Sequence, residues 1–302
     1  MRSLTVSGVT WHDCTQPTRS DLHVVQRRYR FHTLDIDDCL SDHERPKIEE
    51  YASYLFLVFH IPYGSEATGR ILKEEINIFF GRDFLVTVRD GKSPSVDRLW
   101  RSLHTSKRRK EEYFGRGSGF LLHRLMRDLF VESFPLVEGI MRELRRIEES
   151  LFGSEEQYGM LQAILMLRRN IIIMRSILYP QRAIVAHLEQ KRQFIAEDLA
   201  LYFDDILDGI ERQWSLLDTA KEMSEALQAT HESWLTQKTN AVIRILTGFT
   251  VITLPFIIVP GIYGMNVTLP FQVRPFVFAS LIFGMIAATV VLLWYFIGKK
   301  WL

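Results

Sequence analysis

The sequence predicts an α+β membrane protein: an N-terminal cytosolic α/β/α sandwich domain, a long stalk helix continuous with a first transmembrane helix, and a second transmembrane helix at the C-terminus. Three observations carry this reading. Ile245 to Val273 and Pro275 to Gly298 contain no charged side chain, and each run is long enough for the about 20 apolar residues that span a hydrocarbon core. Between Tyr54 and Val88, short β-branched and aromatic runs alternate with glycine-bearing turns. From Phe120 onwards, leucine and isoleucine recur at the helical period.

Composition narrows the function classes. Lys plus Arg number 37 and Asp plus Glu 36, so no net field favours nucleic acid, which is excluded as a partner. Two cysteines, Cys14 and Cys39, form no Cys-x-x-Cys pair, and no apolar stretch near Met1 reads as a signal peptide. The part of the chain before the spans is therefore expected on the reducing, cytosolic side.

Taken in order, Tyr54–Ile61, Glu75–Phe80 and Phe84–Val88 read as strands, with turns at Gly64, Gly69, Gly81-Arg82-Asp83 and Asp90-Gly91. The apolar run from Leu55 to Phe59 suits a strand covered on both faces. Helices near Asp35–Leu40 and Val96–Thr105 supply the covers. Lys107-Arg108-Arg109-Lys110 reads as a solvated basic run. A helix from Phe120 is interrupted at Gly153-Ser154, and a second, through Leu161 and Ile171, is expected to stop at Pro180. After Gln190 no proline occurs before Pro255, and Leu199, Phe203, Ile206, Ile210, Leu217 and Leu227 sit three and four apart or at multiples of that spacing. This predicts one helix of roughly 60 residues, about 90 Å at the helical rise. The chain divides accordingly into an α/β/α domain (1–118), a helical region (119–180), a stalk helix (181–240), transmembrane helix 1 (241–262), an external loop (263–275), transmembrane helix 2 (276–298) and a basic tail (299–302).

On a helical wheel Asn240, Ile243, Thr247, Thr250, Leu254, Ile257 and Gly261 share one face of the first span. A threonine inside a span ordinarily bonds back to its own helix or touches a neighbour. Here the polar positions align, and several copies of this face around an axis would line a narrow pore with Asn240 at its mouth. Gly248 and Gly261 allow close helix approach. No nucleophile with a paired base, phosphate-binding glycine loop or metalloenzyme histidine motif appears, so no enzyme is expected. Lys238, Arg244 and Lys299-Lys300, against Arg274 alone in the connecting loop, place both termini in the cytoplasm of an inner or plasma membrane.

Tyr263-Gly264-Met265-Asn266 closes the first of the two spans. With Glu44-Arg45-Pro46-Lys47-Ile48-Glu49, Glu132-Ser133-Phe134-Pro135, Leu167-Arg168-Arg169, Tyr179-Pro180-Gln181-Arg182 and the terminal Lys299-Lys300-Trp301-Leu302, it resembles the CorA-type magnesium channel family over almost the whole chain. The resemblance implies a homopentameric funnel in the lipid bilayer, with Gly264, Met265 and Asn266 as selectivity filter and the stripe on the first span as pore lining. Magnesium gives up its water reluctantly, so a ring of neutral amide oxygens from Asn266, wide enough for the hydrated ion, suits it. One departure stands out: Val267 to Pro275 holds no acidic residue and carries Arg274, where many members follow the motif with an acid.

The resemblance also implies a regulatory magnesium site shared between subunits, with Asp38 of one opposite Asp205 of the next and Asp37 and Asp208 nearby. Cys39 and His43 beside it are the features that would favour a softer metal such as Zn2+. The expected cations are thus Mg2+, transported and regulatory, with Co2+, Ni2+ or Zn2+ as further candidates. A zinc-transporting relative is the nearest alternative, disfavoured by the intact Met265. A membrane-anchored metal-responsive sensor or scaffold that does not conduct is another, disfavoured by the polar stripe.

Overall fold

A computed structural model of the chain describes residues 1–41, 44–150, 157–267 and 275–298. It comprises two units, residues 1–228 and 229–302.

The first unit is built on a hairpin pattern set by residue alternation. β1 (Arg2–Val6) and β2 (Val9–Thr15) pair antiparallel; α1 (Arg19–Tyr29) and α2 (Thr33–Asp38) follow; then come β3 (Lys47–Glu50), β4 (Tyr54–Ser65), β5 (Arg70–Gly81) and β6 (Phe84–Arg89). The six strands form one sheet in the order β1-β2-β6-β5-β4-β3, antiparallel throughout except for the parallel β2–β6 pair. Successive side chains of a strand point to opposite faces, and β4 shows the result. Leu55, Leu57 and Phe59 enter one apolar core, while Tyr54, Phe56 and Val58 enter another.

The second of these cores, with Leu22, Val25 and Ile36, lies under α1 and α2. Thr18 starts α1 with a reciprocal capping box to Asp21. The larger core lies under the helices that follow the sheet: α3 (Ser95–Thr105), α4 (Lys107–Phe114), α5 (Ser118–Val131), α6 (Phe134–Ser150), α7 (Gln157–Glu189) and the first part of α8 (Glu197–Tyr263). The architecture is the α/β/α sandwich that the sequence predicts. The basic run Lys107–Lys110 forms the first turn of α4.

Two expectations are corrected. Gly64 is not a turn residue: it pairs with Ile71 inside the β4–β5 ladder, and the hairpin turns at 66–69, where Gly69 takes φ +63. Pro180 does not end its helix, because α7 runs through it to Glu189, and the stalk helix begins at Glu197 rather than at 181. The reason is tertiary anchoring on both sides of the proline. Asn170 Oδ1 accepts the Ile71 amide at 3.0 Å and its Nδ2 donates to the Gly69 carbonyl at 3.1 Å, while Gln181 donates to the His60 carbonyl. Those bonds hold α7 against the β4–β5 hairpin as one continuous helix despite the missing amide, whose loss alone disfavours a helix interior. The expected interruption at Gly153-Ser154 lies outside the described residues.

In the second unit α8 continues to Tyr263, and α9 spans Pro275–Gly298. Both are long and apolar enough to cross a membrane. Half-buried or buried positions recur on α9 at Val277, Leu281, Met285, Thr289, Leu292 and Phe296, and on α8 at Gly248, Ile252, Pro255, Val259 and Tyr263. Spacings of three and four put each set on one helix face. The rest of both surfaces is largely exposed, as a lipid-facing or subunit-facing surface is.

A buried charge network fixes the β2–β6 junction. Arg89 and Asp13 have fully buried side chains, joined through Arg89 Nε and Nη2 at 3.1 Å each. Thr87 donates to Asp13 at 2.7 Å, and Asp97 and Arg2 complete the set. Arg89→Ala leaves the Asp13 carboxylate without its fully buried counter-ion. The expected loss is about 3–5 kcal/mol of stability, read as a fall in the thermal unfolding midpoint of the first unit's transition; an unchanged midpoint refutes it.

Candidate functional site

The stripe read from the sequence is a continuous exposed surface on α8. Asn240, Ile243, Thr247, Thr250, Leu254, Ile257 and Gly261 are all exposed in the single chain, and they follow one another at intervals of 3, 4, 3, 4, 3 and 4. At 100° per residue this stripe lies on the side of α8 opposite Gly248, which is buried, and Ile252, Pro255 and Val259, which are half-buried, while half-buried Thr253 lies between the two faces. A strict alternation of three and four is also the repeat with which helices supercoil about one another.

The ordinary reading of the threonines holds for their protons. Thr247 Oγ1 donates to the Ile243 carbonyl at 2.8 Å and Thr250 Oγ1 to the Leu246 carbonyl at 2.9 Å. Thr253, off the stripe, does the same with Phe249. The threonines therefore carry no unmet donor on the exposed surface.

Two residues not weighed with the stripe belong to this region. Pro255 and Pro260 lie inside α8. Each lacks the amide that would bond four residues back, so the carbonyls of Val251 and Phe256 lose their usual helical partner. The signal was present in the sequence as two prolines within an apolar run.

At the end of α8 the Gly264 amide donates to the Pro260 carbonyl at 2.8 Å and the Met265 amide to the Ile262 carbonyl at 3.3 Å. Gly264 has its glycine for a close approach: a Cβ there would stand 3.0 Å from the Pro260 carbonyl oxygen. Met265 and Asn266 are exposed beyond it. Residues 268–274, with Arg274, lie outside the described residues, as do Lys299 and Lys300.

The acidic positions form two separate faces. On α2, Asp37 pairs with Arg19, and Asp38 accepts from Lys47 Nζ at 2.6 Å. Lys47 also reaches Glu49 at 2.8 Å, and that hydrogen bond holds the Glu49 carboxyl below its usual range. On α8, Asp204, Asp205 and Asp208 are exposed, and Asp205 stands 3.7 Å from Arg127 of α5. Among the described residues, no three His, Cys, Asp or Glu side chains gather into a metal-holding cluster within the chain. Exposed carboxylate oxygens fit a hard divalent cation by donor chemistry. Each central carboxylate already faces a cationic side chain of its own chain, so an incoming ion has Lys47 and Arg127 to displace.

Cys39 fits a soft metal less well. Burial, then the carboxylates of Asp35, Glu75 and Asp38, push its thiol well above the ordinary value, away from the thiolate that metals bind. His43 lies outside the described residues.

A family model described as CorA-like Mg2+ transporter protein matches residues 6–300. YfjQ of Bacillus subtilis is 29% identical, covering 96% of this chain and 89% of that protein. The cobalt/magnesium transport protein CorA of Thermotoga maritima is 28% identical, covering 98% of this chain and 84% of that one. Among solved structures, the complete CorA magnesium transporter from Methanocaldococcus jannaschii superposes with a TM-score of 0.85 at 21% identity, over all of this chain and 95% of that one.

The ion pairs on α2 generate a test. Lys47→Ala removes the tethered cation from Asp38, and Mg2+ binding to the purified chain, followed by calorimetric titration, is expected to tighten severalfold. Unchanged or weaker binding would show that Asp38 does not take the ion.

Proposed function

The chain belongs to the CorA-like Mg2+ transporter family, and from that membership we propose that it is a homopentameric channel passing hydrated Mg2+, with Co2+ and Ni2+ as lesser cargo, closed by cytosolic Mg2+ bound between subunits. The observation that carries the pore reading is the exposed stripe on α8. It runs from Asn240 to Gly261 on the face turned away from the half-buried positions of α8 and leads into Gly264-Met265-Asn266. A single-chain anchor has no need of such a face. The relatives named cobalt/magnesium transport protein support the cargo class.

In this reading five Asn266 amides meet the ion's water shell at the outer mouth, since Mg2+ retains its waters and is recognised through them. Below, the Thr250 and Thr247 oxygens accept from those waters, and Leu254 and Ile257 form the apolar constriction that excludes water when narrow. Lys238 and Arg244 mark the cytoplasmic end of the first span and both termini lie on that side. Regulation follows from charge. Mg2+ between Asp38 of one subunit and Asp205 of its neighbour, with Asp37 and Asp208 close by, stabilises the closed arrangement. As Mg2+ falls, facing carboxylates repel and the population moves to the open state.

Uptake by the purified protein in liposomes tests the whole reading, with Mg2+, Co2+ and Zn2+ compared with and without a proton gradient. Zn2+ uptake driven by the proton gradient in preference to Mg2+ would instead favour the zinc-transporting alternative. Within that assay Asn266→Ala is expected to abolish Mg2+ flux while the pentamer stays assembled; normal flux would remove Asn266 from the filter.

Gating is tested separately. Asp205→Asn and Asp38→Asn are each expected to lower sensitivity to inhibition by cytosolic Mg2+ without killing the channel, and the double change to add little, because both act at one site. Inhibition curves that coincide with the unaltered protein in all three would exclude this site as the sensor.

A further inference from the structure

His123 lies on the face of α5 that packs against the first turns of α8. It is 2% exposed, and neither ring nitrogen makes a well-formed hydrogen bond, although the Tyr202 carbonyl faces the ring. Its surroundings are rings: Phe120 at 5.7 Å on its own helix, and Tyr202 at 5.3 Å and Phe203 at 5.6 Å from α8, both edge-on. The two helices are in tight contact here, because a Cβ on Gly119 would stand 3.0 Å from Leu199 Cδ1. A buried polar ring without partners costs stability that a phenylalanine in the same cage would not. Unlike that phenylalanine, an imidazole can take a proton, and near neutral pH when the ring is free in water.

We propose that His123 is a proton-operated latch between α5 and the first turns of α8, closed around the neutral ring and released when the ring is protonated and must reach water. The charged and titratable groups facing it act in both directions. On α5, Arg127 opposes a second positive charge. On α8, the Asp205 carboxylate and the Tyr202 carbonyl favour one. Around the rim, Arg116 pairs with Asp198 and donates to the Tyr202 hydroxyl, and Arg124 pairs with Glu112 of α4, so these charges are already engaged. Burial dominates, followed by Arg127, and holds the ring at about 4 against 6.5 for a free imidazole. The sign follows. The open form binds the proton more readily, so the closed contact is at full strength above about pH 6.5 and weakens progressively as pH falls from there towards 4.

Hydrogen exchange of the full chain in detergent micelles reads the latch without relying on transport, and with Mg2+ omitted the His123 variants separate it from titration of the carboxylates in the same peptides. After correction for intrinsic exchange rates, the opening equilibrium in peptides covering residues 119–131 and 197–208 is expected to rise on the order of 30-fold from pH 7.5 to pH 5. His123→Phe keeps the ring cage filled and should abolish that rise. His123→Gln, which takes no proton in this range, should abolish it too, and decides the matter if the phenylalanine variant does not fold. A rise of the same size in the variants, or none in the unaltered protein, overturns the proposal.

Discussion

Hydrocarbon offers no partner to an amide, and this constraint organises the C-terminal part of the chain. Within a bilayer every backbone N–H and C=O has to be satisfied by the chain itself, so the spans are helices and their polar side chains turn inward on their own backbone. The threonines of α8 bond to carbonyls one turn back. Pro255 and Pro260 are the exceptions that release two carbonyls, and they occur near the end of the first span, close to where the chain leaves the helix at Gly264. The β2–β6 junction of the N-terminal unit obeys the same accounting in another solvent, whereas His123 departs from it. At the junction the buried charges of Asp13 and Arg89 are retained because each satisfies the other with bidentate geometry and the remaining donors to Asp13 come from Thr87, Arg2 and Thr15.

What was legible in the sequence was whatever local pattern determines. The absence of charge over more than twenty residues reveals a span, a period of two reveals β4, and a period near 3.6 reveals the stripe from Asn240 to Gly261. Pro180 was misread because the bonds that keep α7 continuous come from the β4–β5 hairpin, about a hundred residues earlier in the chain. No local propensity carries that information. Gly64 was misread for a related reason: a strand of twelve residues absorbs a glycine when a complete ladder pairs it.

The acidic faces divide the same way. Asp37, Asp38, Asp205 and Asp208 are visible as short acidic runs, but their counter-ions are not, since Arg19, Lys47 and Arg127 arrive from elsewhere in the chain. Partly exposed pairs of this kind are individually weak. They set the starting point for any ion that binds there, because the carboxylates begin partly neutralised. His123 gave no signal at all in the sequence, where it is one histidine inside an amphipathic helix. Its interest arises from the rings that α8 brings over it.

The back-bonded threonines have one more consequence. A hydroxyl that has committed its proton to the Ile243 or Leu246 carbonyl shows the outside only its oxygen. A surface of such oxygens accepts hydrogen bonds and offers none, so in the pore proposed above, water ordered beside it would point its hydrogens towards the wall and its oxygens towards the axis. That orientation suits a positive ion and opposes chloride. Sign discrimination along this part of the proposed pore would then come from hydrogen-bond polarity fixed during folding, with no formal charge on the threonines themselves. A threonine and a valine of nearly the same size would differ here less in volume than in whether they turn the water at all.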